Sequence, residues 1–106
     1  MPNRSRRKLG LLLSSPPQHP NIETVVRLAE TALASRDQVY LYLIDEGARS
    51  MDDPRLARLA ESGLKLFVCA YGAERHRVAL SGPAVPCGLV VLTDLIKGCD
   101  RFIAFN

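Results

Sequence analysis

The sequence predicts a single α/β domain built on a parallel sheet with helices on both of its faces. Three observations indicate this class. Short apolar runs alternate with stretches of helical periodicity, the chain has 106 residues, and 47% of them are hydrophobic. A chain of this length and composition forms one globular core rather than two. Strands that alternate with helices are joined by right-handed crossovers, which place the strands side by side in one parallel sheet.

The first strand and the first helix are predicted before residue 36. Residues 8–14 form an apolar run that is typical of a buried strand, and a proline-rich loop follows it. Asn21 is a candidate N-cap for a helix that ends near Ser35. The apolar face of this helix is formed by Ile22, Val25, Val26, Ala29, Ala32 and Leu33.

The middle of the chain predicts two further strands separated by a helix. Residues 39–44 are apolar or aromatic and predict the second strand, which the acidic turn Asp45-Glu46-Gly47 ends. The pair Asp53-Pro54 predicts a helix N-terminus, and Gly63 ends that helix. Residues 64–69 predict a buried third strand. A turn that opens into a short basic helix is expected over residues 70–77.

The last third of the chain predicts a short strand, a loop, a helix and a final strand. The short strand is expected at residues 78–80, the turn-rich loop at 81–88 and the final strand at 101–105. Residues 89–96 fit strand or helix, and a helix is favoured because Gly98 is a suitable C-cap. The face of this helix that packs on the sheet is expected to contain Leu89, Leu92, Thr93 and Ile96.

The positive charge of the chain is concentrated at its N-terminus. Four of the 14 basic residues lie within the first eight positions, which leaves 10 basic residues against 11 acidic ones in the rest of the chain. Residues 1–7 are therefore interpreted as a basic tail, and residues 8–106 as a single folded domain. A nucleic-acid-binding domain spreads basic residues over a folded face and uses aromatic side chains for stacking. The sequence argues against a nucleic-acid partner.

The sequence also argues against a signal peptide and a membrane span. The apolar run at residues 9–13 is shorter than the core of a signal peptide, and a membrane-spanning helix needs about 18 or more apolar residues. We therefore expect a cytoplasmic protein without a membrane partner. Its three cysteines, Cys69, Cys87 and Cys99, are widely spaced and odd in number, which is not typical of a disulfide framework. In a reducing compartment all three are expected to be free thiols.

Cys69 is the strongest candidate for chemistry. It ends the third predicted strand, at the edge of the sheet where open α/β folds bind ligands, and a helix start follows it. The helix dipole and the basic residues Arg75, His76 and Arg77 favour a thiolate, which is the nucleophilic form of cysteine. Tyr71 is a candidate wall of the site. The alternative is that Cys69 is a small apolar core residue.

Several other chemistries receive little support from the sequence. No glycine-rich turn follows the first strand, so no nucleotide cofactor is expected. His19 and His76 have no neighbours at ligand spacing, so no metal is expected either. Cys69 and Arg75 have the C-x5-R spacing of cysteine-dependent phosphatases, which cradle an oxyanion between these two residues. Glu74 lies inside that stretch and would repel an anion, but a phosphatase-like hydrolase remains a third option.

The order and spacing of four segments resemble the DsrE/DsrF/DsrH-like (TusD-like) family of sulfur-relay proteins, from Lys8 to Asn106. These segments are the first strand with its Ser-Pro loop and the Asn21-led helix, residues 39–47, residues 63–70 and residues 95–103. The resemblance implies a flavodoxin-like three-layer sandwich with a mostly parallel sheet of about five strands. It also implies assembly into homotrimers or hexamers.

In the sulfur-accepting members of that family, a cysteine after the third strand carries a persulfide from a donor protein to an acceptor protein. Cys69 occupies that position, so the resemblance implies a sulfur carrier or sulfurtransferase subunit rather than an enzyme with its own small-molecule substrate. Other members lack the cysteine, and the main alternative is an oligomeric binding or assembly module in which Cys69 is structural. Cys87 has no role in the family pattern. It is either a second thiol at the edge of the sheet or an incidental buried residue.

Overall fold

A computed structural model describes residues 6–80 and 82–106. Within these residues the chain forms a five-stranded sheet whose neighbouring strands are all parallel. The predicted parallel α/β fold is confirmed. The order across the sheet is β4-β3-β2-β1-β5, and the strands are β1 (Lys8–Leu13), β2 (Gln38–Leu43), β3 (Lys65–Cys69), β4 (Val85–Cys87) and β5 (Arg101–Phe105).

The helices form a layer on each face of the sheet. They are α1 (Asn21–Ala34), α2 (Pro54–Glu61), α3 (Ala70–Arg75) and α4 (Leu89–Gly98), and a 3₁₀ segment spans Asp45–Ser50. The chain moves from β1 to β4 in one direction, so right-handed crossovers place α1, α2 and α3 on the same face. The connection through α4 returns from β4 to β5, beside β1, and therefore crosses the opposite face.

Each face of the sheet has its own core. The larger core packs the apolar faces of α1 and α2 against Leu11, Leu13 and Leu41, all of which are buried. The smaller core lies under α4 and contains Tyr42 and Cys69. Among the described residues, α4 alone covers that second face, whereas α1, α2 and α3 lie on the first. Cys69 therefore lies on the less protected side of the sheet.

The predicted N-cap of the first helix is wrong by one residue. Pro20 occupies the N-cap position and has no side-chain capping bond, and Asn21 is the first helical residue. The His19 ring accepts the backbone N–H of Asn21 at 3.0 Å. The Asn21 side chain is used elsewhere, since it donates to the Ser15 hydroxyl at 2.8 Å and to the Asn106 carbonyl at 3.1 Å.

The predicted fourth strand lies later in the chain than expected. Residues 78–80 are not a strand, because the Val78 N–H bonds back to the Ala73 carbonyl at the end of α3. The strand is instead Val85–Cys87, inside the predicted loop, while Ser81 lies outside the described residues. This strand contains Pro86, which lacks an N–H group and is tolerated because β4 is an edge strand.

The predicted helix at residues 89–96 is confirmed, but its buried face differs from the prediction. The residues that pack against the sheet are Val91, Leu92 and Leu95. Three residues predicted on the packed face are instead exposed, namely Leu89, Thr93 and Ile96. The exposed fractions of Leu89 and Ile96 are 58% and 52%. The helix is apolar on several sides, so periodicity alone does not select the packed one. Cys99, and not Gly98, is the C-cap.

The basic N-terminal segment is described only in part, because residues 1–5 lie outside the described residues. Arg6 donates from its guanidinium to the carbonyls of Arg36 at 2.6 Å and Asp37 at 3.2 Å. This contact joins the segment to the turn between α1 and β2. Among the helices of the described residues, none has the length and apolar character needed to cross a membrane.

Candidate functional site

Cys69 lies at the junction of β3 and α3. It is the last residue of the strand and also the N-cap of the helix, and its Sγ accepts the backbone N–H of Gly72 at 3.5 Å. The helix begins at the next residue, Ala70, so the turn expected between Cys69 and the helix is absent. The strand end and the helix start together fix the direction of the thiol.

Cys69 is one of the residues that line a cavity of about 320 Å³. Cys69 itself is only 4% exposed, whereas Tyr71 is 70% exposed. Cys69 is therefore almost fully buried at the wall of the cavity, whereas Tyr71 extends into solvent. The lining residues are Ile44, Asp45, Cys69, Tyr71, Gly72, Arg75 and Leu89.

Gly72 allows α3 to lie close to the turn that follows β2. A side-chain Cβ at Gly72 would be 3.1 Å from the backbone nitrogen of Asp45, which is tighter than ordinary packing. Asp45 has a positive φ of 54°, an uncommon conformation for a residue other than glycine. This close approach brings the ends of β2 and β3 together around the cavity.

The acidic turn after β2 holds His76. The His76 Nε2 lies 3.1 Å from Asp45 Oδ1, and its Nδ1 lies 3.8 Å from Glu46 Oε2. Sequence reasoning gave His76 no acidic neighbour, because these partners belong to a different connection of the sheet. Among the described residues, no group of three or more His, Cys, Asp and Glu side chains is placed to hold a metal ion.

The structure brings three of the predicted site residues to one cavity. Cys69, Tyr71 and Arg75 all line it, while His76 faces the acidic turn. Arg77 follows α3 with a φ of 56° and is not among the described lining residues. Their roles toward the thiol stay predictions.

The C-x5-R stretch does not form an anion cradle. In such a cradle, backbone N–H groups converge on the bound oxyanion. Ala70–Arg75 is instead helical, and the His76 N–H already bonds to the Gly72 carbonyl at 3.0 Å. Helical N–H groups point along the helix axis rather than toward a common centre, so this geometry does not favour phosphate chemistry.

Cys87 lies directly across from Cys69. The two residues are registered partners in the pairing of β3 with β4, and both belong to the core under α4. Sequence reasoning missed this pairing because it placed the fourth strand at residues 78–80. The recognisable signal is the apolar Val85-Pro86-Cys87 run before a helix, although proline argues against a central strand.

Tyr42 connects the two thiols. Its hydroxyl donates to the Gly88 carbonyl at 3.0 Å, and its side chain belongs to the same core cluster as Cys69 and Cys87. Burial raises the pKa of the Tyr42 hydroxyl, and the two thiols raise it further. Burial also raises the pKa of the Cys87 thiol, while the hydrogen bond with Tyr42 lowers it by a smaller amount.

The third thiol, Cys99, belongs to the opposite end of the same layer. It follows α4, and a Cβ at Gly10 would lie 3.0 Å from its Sγ. Burial raises the pKa of Cys99 as it does that of Cys87. Cys99 is therefore a matched internal control, a half-buried thiol that is not paired in register with Cys69.

Comparisons with known proteins identify the fold and no more. No family model matches the sequence, and no curated protein matches it either. The ychN protein from E. coli matches the structure with a TM-score of 0.73 and 13% sequence identity, over 95% of this chain and 100% of that chain. A conserved protein of unknown function from Bacteroides thetaiotaomicron, BT1422, matches with a TM-score of 0.73 and 14% identity, over 92% of this chain and 94% of its own. The chain therefore shares its fold with these two bacterial proteins along nearly its whole length.

Proposed function

We propose that this protein is a sulfur carrier or sulfurtransferase subunit that holds sulfane sulfur as a persulfide on Cys69. One observation carries the proposal. The Cys69 thiol ends a parallel strand, caps a helix start and lines a cavity that also contains Arg75. The resemblance of four sequence segments to the DsrE/DsrF/DsrH-like family supports the same assignment.

The chemistry requires a thiolate and a place for one additional sulfur atom. The Cys69 thiolate attacks the outer sulfur of a donor persulfide, the donor's S–S bond breaks, and the electron pair leaves on the donor thiolate. The Gly72 N–H lies 3.5 Å from Sγ, and Arg75 lines the same cavity, so both are placed to supply positive charge for the sulfur anion. The cavity has room for the outer sulfur and for the end of a donor side chain.

Partner proteins are expected to dock on an exposed apolar surface beside the cavity. We call this surface the apolar rim, and define it by the two exposed apolar side chains that line the cavity, Tyr71 and Leu89. Apolar side chains grouped in this way are typical of interaction sites. We propose that the rim binds the sulfur donor and acceptor, and that copies of the chain associate into a homotrimer or hexamer in the cytoplasm.

The decisive experiment is persulfide loading followed by mass spectrometry of the intact protein. After incubation with a cysteine desulfurase and cysteine, the wild-type chain and Cys99→Ser should each gain one sulfur mass. Cys69→Ser should gain none, because a hydroxyl forms no persulfide. If neither the wild type nor Cys87→Ser gains sulfur after brief incubation with the desulfurase or with a small persulfide donor, the carrier function is wrong.

A structural role for Cys69 is the second candidate, and its burial favours it. A thiol that is 4% exposed and caps α3 can stabilise the fold without reacting. The alkylation rate of Cys69 at neutral pH separates the two functions, measured in Cys87→Ser/Cys99→Ser so that one thiol remains. A rate above that of a model thiol supports the carrier, and a rate equal to it or slower supports the structural module.

A further inference from the structure

The most informative feature outside the proposed carrier chemistry is the pairing of two cysteines on neighbouring strands. Cys69 and Cys87 are directly opposite each other in the β3–β4 ladder. Adjacent strands lie about 4.8 Å apart, and registered side chains point to the same face. A disulfide requires Cα atoms about 4.4–6.8 Å apart, so the ladder spacing permits one.

From this pairing we infer that Cys87 is the resolving thiol of the Cys69 persulfide. This inference rests on the proposed carrier function. The Cys87 sulfur attacks Cys69 Sγ, a bond forms between the two cysteine sulfurs, and the bond from Cys69 Sγ to the outer sulfur breaks. The electron pair and the Cys87 proton end on the outer sulfur, which leaves as hydrosulfide. No oxidant is consumed, because the persulfide sulfur is itself reduced.

The surroundings of Cys87 suit an internal attack. Cys69 lines the cavity and is also paired in register with Cys87, so Cys87 meets it across the neighbouring strand. Both thiols pack beside Tyr42 in the small core under α4, which keeps them close together. The Cys87 thiol donates to the Val68 carbonyl at 3.9 Å. Burial raises its pKa, which disfavours the thiolate and makes the internal attack slow.

The position of Cys87 also suits the disulfide that results. Cys87 ends β4, an edge strand of three residues, so a small shift of that strand disturbs few backbone hydrogen bonds. The product is an oxidised form that no longer accepts sulfur. A thiol or dithiol reductant returns it to the two free thiols, by exchange through a mixed disulfide. The pair thus converts a stored sulfur atom into free hydrosulfide.

The test compares how long the persulfide survives in three chains. Wild type, Cys87→Ser and Cys99→Ser are loaded briefly with glutathione persulfide and desalted. Persulfide mass, released hydrosulfide and disulfide-linked peptides are then followed with time. Cys87→Ala is run in parallel, and far-UV circular dichroism checks that each variant is folded.

We expect wild type and Cys99→Ser to lose the added sulfur at a rate independent of protein concentration. Each should release one hydrosulfide for each Cys69–Cys87 disulfide formed. Both Cys87 variants should hold the persulfide at least about tenfold longer, because an intramolecular attack is lost. Equal lifetimes in wild type and the Cys87 variants, or a disulfide to Cys99, would overturn the resolving role and leave the carrier function intact. If none of the chains gains sulfur at Cys69, both the carrier function and the resolving role of Cys87 are wrong.

Discussion

At the scale of single residues, Gly47 controls how the acidic turn is placed beside the site. It is buried in the 3₁₀ segment, and a Cβ at this position would overlap the backbone carbonyl of Leu13. The segment that starts at Asp45 can therefore lie against the end of β1 only because residue 47 has no side chain. Asp45 in turn lines the cavity and contacts His76.

Gly47→Ala should destabilise the protein by about 3 kcal/mol, because backbone atoms cannot move aside as a flexible side chain can. Gly98→Ala is the matched control, since nothing lies within 4 Å of its added Cβ. That change should leave stability equal or raise it by up to about 1 kcal/mol. Urea unfolding followed by circular dichroism measures both. Similar unfolding midpoints for the two variants would contradict the packing described at Gly47.

Cys69 shows which part of the site can be found from single residues in the sequence. Its place at the end of a buried strand follows from the apolar run before it and the glycine after it. Asp45 follows the neighbouring strand and is therefore predictable at the same edge of the sheet, but the individual side-chain contacts are not. Asp45 reaches His76, and Cys87 reaches Cys69, through contacts between different crossovers of the sheet. Local patterns carry no information about such pairs unless every strand is assigned correctly.

At the scale of elements, α2 begins with a cap that the sequence identifies. The Asp53 carboxylate accepts the backbone N–H of Arg55 at 2.8 Å and also pairs with the Arg55 guanidinium at 2.9 Å. The side-chain hydrogen bond from Arg55 is the main reason that the pKa of Asp53 lies below its usual value. The same residue thus caps the helix and forms an ion pair.

Asp53→Ala should cost about 1 kcal/mol of stability at neutral pH, as is typical for the loss of an N-cap. Because the folded-state pKa is lowered, the charged carboxylate contributes stability above the unfolded-state pKa of about 4. This contribution to stability is lost as the pH falls through the pKa of Asp53 in the folded state. The difference in urea midpoint between wild type and variant should therefore shrink between pH 7 and pH 2. The exposed Asp52→Ala change is the control, and an equal loss in both variants would argue against the cap.

Elements with a strong pattern were predictable, and elements defined by their partners were not. The strand β2 and the helix α2 follow from continuous apolar or capped runs, and both are confirmed. The strand β4 has three residues, one of them proline, and is a strand only because β3 binds it. The helix α4 could be predicted from the sequence, but its buried face could not, because that face depends on how the helix is oriented against the sheet.

At the scale of the whole molecule, the two faces of the sheet are covered unequally. One helix, α4, covers one face, and its outer side presents Leu89, Val90 and Ile96 to solvent. The apolar rim near Cys69 continues this surface. An apolar surface of this kind is stabilised by burial against another protein surface. The unequal cover supports the proposed self-association.

Val90→Asp should weaken that association without unfolding the chain. Val90 is 74% exposed, so a charge there costs little in the monomer. Burying one valine at an interface contributes about 1.5 kcal/mol, and its loss should weaken each contact about tenfold. Light scattering coupled to size-exclusion chromatography measures the change, and Thr93→Asp on the same helix is the control. A wild-type chain that is monomeric at high concentration would contradict the proposed oligomer.

The proline in β4 has a consequence for how copies of this chain can meet. Pro86 removes one backbone donor from a strand that has only three residues, so the β4 margin is a poor template for a sixth strand. Strand pairing between two copies of the chain is therefore disfavoured at the β4 edge, which is the edge nearest Cys69 and Cys87. Pro86 therefore hinders the growth of fibrils by strand addition at the β4 edge. Copies of the chain can still associate through their helices and form a closed oligomer.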